Sequence, residues 1–153
     1  TIRNPPVALL ADECQKGHRI ANNLRSSLPK ITISHQIHKL GEHGYRLDVI
    51  LENHGFLSST ATTRASNLGL ASRPKLTLSK GNTSSERTQY LPILAGWGTD
   101  QYKQNLVYPS LSAQSCRAKA SWIIHDETVQ VTWDAGRGGS GTYTIHIKDQ
   151  ELF

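Results

Sequence analysis

A chain of 153 residues is long enough to bury a core without help from metals or disulfides, and short enough to be one domain. Its apolar fraction of 37% and mean hydropathy of −0.44 fit a soluble globular protein, and no apolar run approaches the roughly eighteen residues of a membrane span. Seventeen Lys and Arg against twelve Asp and Glu give a net charge of +5, but the basic residues (Arg64, Arg73, Lys75, Lys80, Arg87, Lys103, Arg117, Lys119, Arg137) are scattered, without the clustering or aromatic interleaving of a nucleic-acid surface.

The opening Thr1-Ile2-Arg3-Asn4-Pro5-Pro6 lacks the basic-then-apolar order of a signal peptide. The chain contains no Met at all, so a fragment or processed product of a longer protein is expected. Asn4 reads as a helix N-cap, with Pro5-Pro6 in the first turn, where a missing N–H costs nothing. Leu10, Cys14, Gly17, Ala21, Leu24 and Leu28 then recur at spacings of four and three, with Ile20 on the same side. That is one apolar stripe of an amphipathic helix, predicted over 4–29 and ended by Pro29. Asp12 and Glu13 early and Arg19 and Arg25 late complement its dipole. The small residues Gly17 and Ala21 allow close approach to a partner surface.

A β region is predicted over 31–148. Ile31, Ile33 and Ile37 open it, and Gly41-Glu42-His43-Gly44 reads as a hairpin turn. Tyr45, Leu47, Val49 and Leu51 alternate with Arg46, Asp48 and Ile50, the period-two pattern of a strand with one buried face. Asn53-His54-Gly55 tolerates positive φ and so predicts a turn or bulge, after which Phe56-Leu57 returns apolar mass to the core. Leu76 and Leu78 rebuild a strand beyond Pro74. Between these, Ala61, Ala65 and Leu68 fit a short helical turn capped by Gly69. Lys80–Arg87 reads as a polar loop, and a short edge strand is expected near Tyr90–Leu94. Arg117–Ile124, Val129–Asp134 and Thr142–Lys148 read as three closing strands of an antiparallel meander. The fold class is therefore mainly β: an antiparallel sandwich, immunoglobulin-like or fibronectin-like, preceded by one amphipathic helix.

Three segments carry a resemblance: Asn4-Pro5-Pro6, Asn53-His54-Gly55-Phe56-Leu57, and Leu68-Gly69-Leu70-Ala71-Ser72-Arg73-Pro74. Together they resemble the region that follows the catalytic domain in bacterial zinc carboxypeptidases of the carboxypeptidase A-like class. The pattern departs at Ser58-Ser59, where the family pattern has Pro-Thr, and is followed only loosely over Gln89–Gly98. The resemblance implies a non-catalytic accessory domain, with zinc bound in the parent's catalytic domain and none in this fragment. It also implies that this catalytic domain is the partner in cis, met through the face formed by Leu10, Gly17, Ala21, Leu24 and Leu28. Neither nucleic acid nor membrane is an expected partner.

The residues themselves offer no catalytic set. Among seven histidines, none is followed at three residues by Glu, the His-x-x-Glu spacing a zinc carboxypeptidase uses for two of its ligands. His35, His38 and His43 are the nearest approach to a metal group, but a spacing of three on a strand puts His35 and His38 on opposite faces. Gly136–Thr142 superficially looks like a phosphate loop, yet it lacks the Lys and the following helix, so a flexible hairpin is expected. Cys14 and Cys116 leave two readings open, buried free thiols or one bridge. Tyr90, Trp97, Tyr102 and Tyr108 lie in an irregular stretch, either as a plug closing one end of the sandwich or as a binding loop for carbohydrate or peptide. An accessory domain should expose apolar residues on its helix, whereas a free-standing module should expose loop aromatics.

Overall fold

The computed structural model describes residues 6–41, 44–60, 64–65, 68–98 and 116–147. One helix and seven strands follow in chain order: α1 (Val7–Ser26), β1 (Ile31–Lys39), β2 (Tyr45–Asn53), β3 (Lys75–Lys80), β4 (Thr88–Tyr90), β5 (Arg117–Ile124), β6 (Thr128–Asp134) and β7 (Ser140–His146). The strands form two antiparallel sheets, ordered β1-β2-β5 and β4-β3-β6-β7. Leu47, Val49 and Leu51 of β2 and Trp122 and Ile124 of β5 share one buried cluster with Leu76, Leu78, Val129, Val131 and Ile145 of the second sheet. The inner faces of the two sheets thus make a single core.

The strand centred on Val49 follows its alternation on the inner face, but its outer face is covered as well. Asp48 is 1% exposed and Ile50 6%. The reason is position: β2 lies between β1 and β5, and long side chains of β2 itself and of β5 reach over Asp48. The Arg46 guanidinium and the Lys119 ammonium approach Asp48 Oδ2 at 3.2 and 3.1 Å. Burial by itself would raise the Asp48 pKa. Hydrogen bonding from Ser121 and Lys119, with the charges of Lys119 and Arg46, outweighs it and holds the carboxyl below the ordinary value.

The three closing strands do not form a meander. β5 pairs with β2, whereas β6 pairs with β3 and β7. The turn at 125–127 therefore carries the chain from one sheet to the other. β6 and β7 do form a hairpin, joined through a tight turn at Gly136–Gly138 with φ of +61° at Gly136 and +94° at Gly139. β4 lies just before the expected edge strand, ending at Tyr90. Leu91 N–H still donates to Pro74 O at 2.7 Å, but Pro92 has no N–H to continue the ladder.

Side chains stand in for strands along the free edge of β5. Gln89 donates from Nε2 to Ser121 O at 2.6 Å and accepts from Ser121 N–H at 3.2 Å. One step along, Thr83 Oγ1 donates to Ile123 O and Ser85 Oγ accepts from Ile123 N–H. Trp122, 1% exposed, places its indole N–H on Glu86 O at 2.9 Å. The loop between β3 and β4, together with Gln89 of β4, therefore satisfies an edge that would otherwise present unpaired backbone.

The helix starts at Val7, preceded by Pro6 in an extended conformation, and its last turn is capped by Ser27; Asn4 lies outside the described residues. No acidic residue falls in the first turn, because Asp12 and Glu13 sit further along, and Arg25 alone occupies the last. No residue of α1 is buried. At the expected helical turn, Leu68 and Leu70 N–H donate to Arg64 and Ala65 O, and Gly69 takes φ +67°. Residues 61–63 and 66–67, and Lys148 of the last expected strand, lie outside the described residues.

Candidate interdomain face

The site grows from Asn53, the last residue of β2, which is 3% exposed. Its side-chain oxygen accepts from Lys30 N–H at 3.0 Å and Gly55 N–H at 2.9 Å. Its amide nitrogen donates to Leu57 O at 2.9 Å and Ala95 O at 3.1 Å. Two donors and two acceptors are all that a carboxamide has. Asn53 therefore ties together the exit from α1, the 53–57 bend and the segment after β4.

Backbone bonds reinforce the same junction. Leu57 N–H donates to Ser27 O, His54 N–H to Lys30 O, Trp97 N–H to Gly55 O and Gly98 N–H to Phe56 O. Approach this close requires glycine. A Cβ on Gly55 would strike the backbone of Leu28, Pro29 and Lys30, and one on Gly96 would strike that of Phe56 and Leu57. Positive φ is not the reason for Gly55, as the turn reading expected: its φ lies outside that region. The bend is a crowded crossing of three chain segments.

Phe56 does not return to the core. It is 40% exposed and meets Trp97, 53% exposed, edge to face at a centroid distance of 4.6 Å and 82°. Gly98 leaves room for the Phe56 ring above its own backbone. Leu28, also 40% exposed, lies at the joint where α1 meets this end of the body. Along the helix Leu10, Gly17, Ala21 and Leu24 are exposed, as are Val7, Leu9 and Ile20. Apolar side chains are thus exposed along α1, at Leu28 and at the Phe56–Trp97 pair. Such side chains offer contact and desolvation, and the exposed Cys14 thiol lies on the same stripe of the helix.

The remaining predicted residues are placed as follows. His35 bonds through Nδ1 to the Tyr143 hydroxyl at 2.9 Å, linking the edge strands of the two sheets. His38 falls on the other face of β1, and His43 lies outside the described residues. Among the described residues no group of three or more His, Cys, Asp or Glu is arranged to hold a metal, and no helix is long and apolar enough to cross a membrane. Cys14 is exposed rather than buried, Cys116 is half-buried, and both are free thiols. Tyr90 is exposed at the end of β4; Tyr102 and Tyr108 lie outside the described residues. Trp133 of β6 is only partly buried, packed beside the core. The pairing of Phe56 with Trp97 was not anticipated; the signal for it was Gly96 and Gly98 flanking Trp97.

One family matches residues 30–146, and its description is a domain of unknown function, DUF8731. The chain belongs to the DUF8731 family. The DUF8731 match takes in the two-sheet body and leaves α1 outside it. No curated protein and no solved structure matches the chain.

Proposed function

We propose that this DUF8731 chain is a non-catalytic accessory domain of a zinc metallocarboxypeptidase-like protein, an immunoglobulin-like or fibronectin-like sandwich that buttresses a catalytic domain. The parent would hydrolyse peptide or amino-acyl bonds next to a free carboxylate, with zinc held in the catalytic domain. The reading stands on the three motif segments and on one structural observation: apolar side chains are exposed along α1, at Leu28 and at the Phe56–Trp97 pair. Exposed apolar surface of this extent marks a contact site. A second reading, a free-standing carbohydrate- or peptide-binding module, draws on the exposure of Tyr90 and Trp97. Trp97, however, is engaged with Phe56 in the apolar face.

The test compares this chain with the same chain extended by the sequence upstream of it. Zinc content, carboxypeptidase turnover and the alkylation rate of Cys14 are measured in both. Stoichiometric zinc, turnover and a shielded Cys14 thiol are expected only in the longer protein. Zinc and turnover in the short chain would overturn the reading, as would a Cys14 that alkylates equally fast in both.

A further inference from the structure

We propose that the outer face of the four-stranded sheet binds an uncharged polysaccharide laid across its strands. Strand register builds this face. Thr77 of β3 stands opposite Thr88 of β4 and Thr132 of β6, and Thr132 stands opposite Thr142 of β7. Directly opposed residues share a face, so one threonine from each strand forms a straight row across the sheet. The next row, built by the same pairings, is Tyr90, Lys75, Asp134 and Ser140. Beyond the threonines, Gln130 stands between Lys80 of β3 and Thr144 of β7, and Ser79 Oγ donates to Gln130 O at 3.0 Å.

Charge selects the ligand class. The protein as a whole carries +5, yet charge enters these two rows only as Lys75 and Asp134, which compensate each other at 3.8 Å. A polyanion requires several positive charges along its path; these two rows carry no net charge, and Lys80, opposite Gln130 in the third, is a single one. An apolar partner finds only the Tyr90 ring, 70% exposed. A neutral sugar chain fits both rows. Tyr90 offers a ring face to the C–H face of a pyranose, and Lys75, Asp134 and the Ser and Thr hydroxyls offer donors and acceptors to its hydroxyls. Neighbouring strands lie about 4.8 Å apart, comparable to the advance of one sugar along an extended chain, so successive sugars meet successive strands. The face shares no residue with the apolar surface around α1, Phe56 and Trp97, so the two proposals stand or fall separately.

The test is retention of the whole chain on insoluble cellulose, insoluble chitin and insoluble starch, with heparin as the anionic comparison. Retention is expected on at least one neutral polysaccharide, insensitive to salt and to added heparin. Tyr90→Ala and Thr132→Lys, both at exposed positions, are each expected to weaken it about tenfold while circular dichroism and melting stay unchanged. Trp97→Ala is expected to leave it intact. The proposal is overturned by failure to bind all three polysaccharides, by binding that survives both sheet variants, by displacement with heparin, or by loss on removing Trp97.

Discussion

Asn53 shows how much one side chain can hold when every bond it can form is used. Asn53→Asp keeps the shape and both acceptor contacts but removes the two donors, and turns a carboxylate oxygen toward Leu57 O and Ala95 O. The expected cost is about 3 kcal/mol, read in a denaturant titration as a lower midpoint at unchanged slope; a loss within experimental scatter would show that the junction does not depend on this amide. Asp48 makes a different prediction. Its pKa is lowered in the fold, so its stabilising contribution is fully present above the unfolded value of about 3.9 and disappears as pH falls through the folded value. The stability difference between the native chain and Asp48→Asn should therefore be largest near neutral pH and shrink below about pH 4. A difference that persisted at lower pH would contradict it. At this scale the sequence was partly legible: Asn53 and Gly55 announced a bend, but crowding by a segment distant in sequence, not backbone handedness, explains the glycine.

At the scale of elements, periodicity was a dependable guide and partnership was not. The stripe from Leu10 to Leu28 marked a helix, and the alternation from Tyr45 to Leu51 marked a strand, because each pattern is imposed by local geometry. The start of α1 moved to Val7, and Phe56 moved from core to surface, because neither is fixed by its neighbours in sequence. The split of β5 from β6 was invisible for a related reason. A short polar turn can join two strands of one sheet or carry the chain between two sheets, and inward alternation looks the same in either case. The exposed state of α1 yields a prediction of its own. A chain beginning at Ser27, which keeps the joint but lacks the helix, should melt within about 2 °C of the full chain, since removing unburied residues costs little. A large drop would mean that the helix packs on the body in solution.

The whole molecule is two sheets closed over one core, with differently finished sides. Along β5 the closure is made by Gln89, Thr83 and Ser85, and between β1 and β7 it is made by His35 and Tyr143. That a two-sheet architecture would arise was legible from many short strands without intervening helices. The candidate apolar face was legible along the helix and hidden at Phe56 and Trp97, which meet only after Gly96 and Gly98 let two backbone segments approach. The cross-sheet threonine row was equally hidden, since its members come from four strands whose register no local pattern records. The joint at Asn53 has a mechanical consequence. Because, among the described residues, α1 is tied to the body by bonds from Ser27 and Lys30 to the 53–57 bend, it acts as a cantilever. Whatever grips the helix pulls on the sheets through this joint, and torque applied at Leu10 is shared between the Asn53 carboxamide and the two backbone bonds beside it.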